Sequence, residues 1–253
     1  MNILVINANT TQAMTDAIGV TARSYARPDT HITAISARYG SRSIQGHLEE
    51  YIGAMATVEE VARNRDQYDA FVIACYGDPG LNACREVTDK PVIGCAEASM
   101  HLASFVGYKF SIVTSIARVK PMLEDLVRQV GLESKCASIR CSALTVLEIE
   151  ADPLRAEREL IEQSRLAIQQ DGAEAICLGC AGMGPLDKSI QRAVGVPVID
   201  GVVAAVKMAE VLHDYGLLTS KVAAFAWPEK QELVGCSNIL ETMCDGRPNP
   251  SKR

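Results

Sequence analysis

Apolar residues fall into two kinds of run along the chain. The short runs are rich in Val, Ile and Ala and last four to eight residues; the longer ones repeat at helical spacing. The short runs predict strands at Asn2–Asn7, His31–Ser36, Asp69–Cys75, Pro91–Gly94, Lys109–Ser115, Ala137–Ser142, Ala173–Cys180 and Pro197–Asp200. The longer ones predict helices at Thr11–Ala26, Leu48–Asn64, Leu81–Thr88, Glu97–Phe105, Val119–Val130, Pro153–Asp171, Leu186–Val194 and Val202–Tyr215. Strands that alternate with helices over this many units pair in parallel through helical crossovers, so the fold class is α/β.

The pattern also repeats itself. Met1-Asn-Ile-Leu-Val-Ile-Asn7 resembles Lys109-Phe-Ser-Ile-Val-Thr-Ser115, and each runs through a Thr- or Ser-bearing loop into a helix. Asp69-Ala-Phe-Val-Ile-Ala-Cys75 parallels Glu174-Ala-Ile-Cys-Leu-Gly-Cys180, and both strands end on a cysteine. A Gly-rich turn, a short helix and a Pro-Val-Ile strand follow each. Ile3 to Phe110, Cys75 to Cys180 and Pro91 to Pro197 are separated by 105 to 107 residues. Three landmarks in register imply duplication of a four-stranded unit. The expected molecule has two pseudo-symmetric halves, each a roughly four-stranded parallel sheet flanked by helices, with a cleft between the carboxyl ends of the strands. Residues 1–96 plus about 201–235 form the first half and residues 97–200 the second. Residues 246–253 are expected to be a frayed tail.

Composition narrows the function without naming it. The net charge is −6 and no Lys/Arg run occurs, which disfavours nucleic acid as a partner. Charged residues interrupt every long apolar segment, so no membrane span is expected. The start MNILVINANTT has no leader pattern, and a cytoplasmic location is expected. No phosphate loop, dinucleotide fingerprint or serine-nucleophile elbow is present.

Nine cysteines at irregular spacing do not read as a disulfide framework. Cys95, Cys141 and Cys177 sit in apolar surroundings and read as packing residues. Cys177 and Cys180 form a C-x-x-C, but residues three apart on a strand face opposite ways. The four histidines are dispersed, so no metal site is expected. Cys75 and Cys180 differ from the rest because each ends a buried strand just before a helix. Either alone is as readily a buried packing residue. As a matched pair they suit a reaction that removes a proton from one face of a carbon and returns it to the other. Asp78-Pro79 and Gly184-Pro185 read as starts of the following helices, whose N–H groups would favour the thiolate. Thr10 or Thr11 is expected to cap the first helix. Asn9 in the first loop, with Thr114 and Ser115 in the matching one, are candidate polar groups of the cleft.

Six segments resemble the aspartate/glutamate/hydantoin racemase superfamily, most closely its hydantoin and allantoin racemase branch. They are INANTT (Ile6–Thr11), ACYGDPGL (Ala74–Leu81), PVIGCAEASMH (Pro91–His101), FSIVTSIAR (Phe110–Arg118), DGAEAICLGCAGM (Asp171–Met183) and GVPVIDGVVAAVKMAE (Gly195–Glu210). The resemblance implies cofactor-free racemisation of a small molecule at the C5 carbon of a hydantoin ring, with Cys75 and Cys180 as acid and base. It also implies a homo-oligomer. Asn9, Ser43, Thr114 and Ser115 are then expected to bind the ring. Backbone N–H groups of Tyr76, Gly77, Ala181 and Gly182 are expected to steady the enolate oxygen.

The chain departs from the family pattern at two places. Ala8 stands where Pro is usual, and Gly40-Ser-Arg-Ser-Ile-Gln45 replaces the usual second loop, with Arg42 reading as a surface residue. Three other readings stay open: an amino-acid racemase, an isomerase or decarboxylase of the same superfamily, and a non-catalytic small-molecule binding protein.

Overall fold

The computed structural model describes residues 1–234, and the 246–253 tail lies outside them. The first sheet contains β1 (Asn2–Asn7), β2 (His31–Ser36), β3 (Ala70–Ile73) and β4 (Val92–Gly94), in the order β2-β1-β3-β4. The second contains β5 (Phe110–Thr114), β6 (Cys136–Cys141), β7 (Ala175–Leu178) and β8 (Val198–Asp200), in the order β6-β5-β7-β8. All pairings are parallel. Ile3 faces Ala70 in one sheet and Phe110 faces Ala175 in the other, so the sequence repeat survives as structural register. Strands β3, β5 and β7 are buried along their whole length, as crossover helices on both faces require.

The helices repeat in the same order. In the first half these are α1 (Gln12–Tyr25), α2 (His47–Asn64), α3 (Leu81–Val87) and α4 (Cys95–Val106). In the second they are α5 (Lys120–Gln129), α6 (Val146–Ala151), α7 (Pro153–Asp171), α8 (Asp187–Val194) and α9 (Gly201–Asp214). Three structural differences from the sequence reading bear on the site. Helix α6 is an addition, set by a capping box in which Thr145 and Glu148 bond each other's backbone N–H. Residues Ala181–Leu186 after Cys180 form a 3-10 turn, so α8 starts later than the Gly-Pro pair suggests. Helix α4 begins at Cys95, directly off its strand.

Each half lends its last helix to the other. Helix α4 leaves the first sheet and packs on β7 and β8, while α9 leaves the second and packs on β3 and β4; the two helices also pack on each other. One continuous apolar core results, running from Ile3, Met14 and Ile18 through Met100 and Val202 to Phe110 and Ile112. Separate outer cores lie beneath α2 and α3 (Val61, Phe71, Leu81) and beneath α7 and α8 (Leu160, Ile176, Ile190). The shared inner core holds the carboxyl ends of the two sheets towards one another, which puts the loops after β1, β3, β5 and β7 around one space.

Candidate active site

That space is a pocket. Its polar lining comes from Asn9 after β1, Tyr76 and Gly77 after β3, Thr114 and Ser115 at the end of β5, and Ala181 after β7; Cys75 and Cys180 both line it. The two thiols, one from each half, are half-buried, free, and contributed by pseudo-equivalent strand ends. Cys177 is fully buried on the opposite face of β7, its sulfur 3.6 Å from the Ser99 carbonyl, so the C-x-x-C sulfurs point apart as strand geometry demands. Cys95 is equally buried, whereas Cys141 is only partly so. Among the described residues no group of three or more His, Cys, Asp or Glu side chains is arranged to hold a metal.

The loop after β1 owes its shape to two amides. Asn7 Nδ2 donates to Asn9 Oδ1 (3.0 Å) and Thr15 Oγ1 (2.9 Å), and Asn9 Oδ1 also accepts from the Thr11 N–H (2.9 Å). Asn9 Nδ2 meets only the thioether of Met14 (3.2 Å), a weak acceptor, and remains a donor towards the pocket. Thr10 and Thr11 do not cap α1 with their side chains. Their hydroxyls instead donate to the carbonyls of Ser41 (3.1 Å) and Arg42 (2.7 Å), tying the second loop to the first. This tether brings Ile44 into the pocket wall. Ser43 is not part of the lining; its Oγ accepts from Gln45 Nε2 (3.2 Å). The neighbour of the expected residue takes the inward place.

The environment of the thiols reverses one expectation. Burial pushes Cys75 up to about 12 and Cys180 up to about 11, against the opposing hydrogen bonds from the Gly77 and Gly182 N–H groups. Desolvation outweighs the helix-start effect that was expected to favour the thiolates. Those two N–H groups are therefore engaged by sulfur, and Gly182 does not line the pocket. Asp78 does not open its own helix either: Gly80 holds the N-cap position of α3, and the Asp78 carboxylate reaches across to α4. The Tyr76 side chain also points inward, its hydroxyl 2.7 Å from Ser99 Oγ, leaving only its backbone for the pocket.

The sequence reading missed the other wall, formed by Met14, Ile44, Val119, Met122, Leu123 and Val146. These side chains come from α1, the second loop, the start of α5 and α6. The Thr145-x-x-Glu148 signature was the available sign of α6.

A doubled α/β fold with one thiol from each half on one pocket fits a class of enzyme: an isomerase that acts on a small molecule. Comparison with known proteins gives the family. Residues 3–209 match the model of the Asp/Glu/Hydantoin racemase family. The chain is 49% identical to the hydantoin racemase of Pseudomonas sp. (strain NS671) over 93% of its own length and 95% of that protein. It superposes on the allantoin racemase from Klebsiella pneumoniae with a TM-score of 0.92 at 44% identity, covering 97% of this chain and 99% of that one. The corresponding values for the allantoin racemase from Pseudomonas fluorescens are 0.91, 41%, 93% and 100%. The chain belongs to the Asp/Glu/hydantoin racemase family and is a racemase.

Proposed function

We propose that the protein racemises 5-substituted hydantoins without a cofactor, with Cys75 and Cys180 as the acid/base pair at C5. The observation that carries this reading is the placement of the two thiols at equivalent strand ends on one pocket. One cysteine, as thiolate, takes the C5 proton, and the C–H electron pair moves into the adjacent ring carbonyl to give an enolate. The other cysteine, as thiol, gives its proton to the opposite face of C5 and is left as thiolate. The mirror-image substrate runs the same steps with the cysteines exchanged.

Several polar groups fit the ring's edge. Asn9 Nδ2 can donate to a ring carbonyl, and the N–H groups of Tyr76 and Ala181 are candidates for the enolate oxygen, because those of Gly77 and Gly182 are engaged by sulfur. Thr114 Oγ1 already donates to the Gly179 carbonyl (2.8 Å), so towards a ligand it acts as an acceptor for ring N–H.

The test is to incubate each pure enantiomer of a 5-substituted hydantoin in D2O and follow optical rotation together with deuterium at C5. Loss of rotation with uptake of one deuterium is expected, and Cys75→Ser and Cys180→Ser should each abolish it. Full activity in either variant would overturn the two-thiol scheme. Allantoin is the second reading, favoured by the two allantoin racemases the chain resembles.

A homo-oligomer is proposed on a contrast inside the molecule. The outer face of α2 exposes Leu48, Tyr51, Ile52 and Met55 in one stripe, while its counterpart α7 exposes Leu154 at its start and then Arg158, Glu162, Arg165 and Gln169. The duplicated helix shows what a solvated face looks like in this fold.

A further inference from the structure

Each half carries a buried carboxylate between its cysteine turn and a helix start, and the two halves supply it from different places in the sequence. In the first half it is Asp78, three residues after Cys75. Asp78 is 5% exposed, its N–H donates to the Cys75 carbonyl (2.9 Å), and its oxygens accept from the N–H groups of Ala96 (3.0 Å) and Glu97 (2.8 Å) at the start of α4. Met183, buried and apolar, holds the equivalent position after Cys180. There the carboxylate comes from Asp200, the last residue of β8, whose Oδ1 accepts from the Val203 N–H (2.8 Å) at the start of α9. The first-half equivalent of Asp200 is Gly94.

The two arrangements fill the same space. A Cβ on Gly94 would lie 2.2 Å from the Asp78 carboxyl, so Asp78 occupies the place where a side chain at position 94 would begin. A Cβ on Gly184, in the turn after Cys180, would lie 3.1 Å from Asp200 Oδ2. Each carboxylate is thus wedged between a cysteine turn and a helix start. The two helix starts meet, since a Cβ on Gly201 would lie 2.8 Å from the Cys95 carbonyl oxygen.

Helix capping alone accounts for neither the burial nor the charge. Asn and Ser cap as well as Asp, and a buried carboxylate carries a desolvation cost that they avoid. Asp200 is 2% exposed, and its Oδ2 has no hydrogen-bond partner among the described residues. Burial pushes both carboxyls up to about 7. Around Asp78 the charged and titratable groups are Cys75, Cys95, Glu97 and Arg85; around Asp200 they are Cys180, Cys95, Asp187, Lys188 and Tyr25. Of all these, only Cys75 and Cys180 line the pocket.

We propose that Asp78 and Asp200 are paired positioning residues, each acting through the cysteine of its own half by bracing its turn and keeping it a thiol. The proposal rests on reading Cys75 and Cys180 as the acid/base pair. Burial raises both thiols, and the helix starts pull the other way, towards thiolate. A carboxylate on each helix start offsets that effect, and ionising either thiol then means placing a negative charge near another.

The test uses Asp78→Asn and Asp200→Asn in the full chain. At position 200 Asn keeps the bond from the Val203 N–H, so the charge is what changes; at position 78 it tolerates the φ of 46° but keeps only one of the two bonds from Ala96 and Glu97. The readout is the iodoacetamide alkylation rate of Cys75 and of Cys180 separately, measured by peptide mass spectrometry across pH 6–10. At pH 8, Asp78→Asn should speed alkylation of Cys75 by about threefold or more and leave Cys180 within about twofold. Asp200→Asn should do the reverse. Unchanged rates, or one common factor at both cysteines, would overturn the proposal.

Moving the carboxylate gives a rescue. Asp78→Gly combined with Gly94→Asp imposes the second-half arrangement on the first and should return Cys75 to its original rate. No return in the folded double variant counts against the proposal. The unsubstituted protein supplies a measurement that needs no variant. The logarithm of each rate should rise with a slope below one between pH 6 and 8, where the carboxylates gain charge, and a slope of one throughout overturns the coupling. Alkylation needs no substrate, so these rates stand apart from the racemisation assay, whose failure would remove the reaction but not the coupling.

Discussion

Thr114 Oγ1 donates a 2.8 Å hydrogen bond to the carbonyl of Gly179, the residue before Cys180. The contact is close enough that a Cβ on Gly179 would lie 2.6 Å from the Thr114 Cβ. Gly179 is therefore required by the approach of Thr114, and through it the end of β5 sets where Cys180 begins. Gly179→Ala should cut racemisation at least about tenfold while circular dichroism stays native, because a shift of the thiol by a fraction of an ångström spoils proton transfer. Thr114→Val keeps the shape and loses one hydrogen bond, so a stability loss of about 1 kcal/mol in urea unfolding is expected. Full activity in Gly179→Ala would remove the steric argument.

The proposed thiol pair predicts a pH dependence in one direction. In the free pocket burial holds Cys75 up to about 12 and Cys180 up to about 11, so below pH 9 the thiolate fraction grows as pH rises. Proton abstraction needs one thiolate, and kcat/KM reports the free enzyme. It should climb steadily from pH 7 to pH 9 for both enantiomers. A maximum below pH 8 would mean that another group, with a lower pKa, is the base.

Much of this site was legible in the sequence, and the gaps have physical causes. The duplicated strand ends fixed the register of Cys75 and Cys180, because a parallel strand needs a continuous apolar run and the run stops at the loop. The direction of the thiol shift was not legible. Helix starts are local and readable, whereas burial is a property of the assembled core, and Asp200 lies 20 residues beyond Cys180. Ser43 was expected in place of Ile44 because an irregular loop has no periodicity to assign its faces. The apolar wall from α5 and α6 joins the pocket only through tertiary packing, which no local pattern encodes.

Burial of the carboxylates has a cost that thermal unfolding can read. Asp78 and Asp200 sit near 7 in the folded protein against an ordinary 3.8, so each binds its proton more tightly when folded. Their contribution to stability is whole below about pH 4 and drains away as pH rises through 7, by an amount on the order of a few kcal/mol per group. Asn at position 200 does not titrate. The fall in Tm between pH 5 and pH 8 should therefore be smaller in Asp200→Asn than in the unsubstituted protein. An equal fall in both would show that the carboxyl titrates normally.

The apolar stripe on α2 gives a prediction about assembly. Leu48 and Tyr51 are 69% and 70% exposed in the single chain, an unusual display beside a mixed-charge counterpart on α7. Leu48→Glu with Tyr51→Glu should reduce the mass seen by analytical ultracentrifugation while leaving the helical signal intact. An unchanged mass would remove this face as an oligomer contact.

The pocket wall gives a prediction about the C5 substituent of the proposed substrate. If the ring binds the polar side formed by Asn9, Thr114 and Ser115, as proposed, the substituent faces Met14, Ile44, Val119, Met122, Leu123 and Val146. None of these side chains donates or accepts a strong hydrogen bond, and the two methionines adapt to varied apolar shapes. An isobutyl or benzyl group gains from burial there. A ureido group would lose its hydrogen bonds to water without replacement, at about 1–3 kcal/mol for each unsatisfied group. Hydantoins with such apolar substituents should therefore show kcat/KM at least about tenfold above allantoin. Met122→Gln offers the ureido group a partner and should narrow that ratio from both sides, raising the allantoin value and lowering the benzyl one. Equal kcat/KM for allantoin and the benzyl compound in the unsubstituted protein would mean that the substituent points elsewhere, towards the polar cavity beyond Gly77 and Met122 that Glu50 and His47 line.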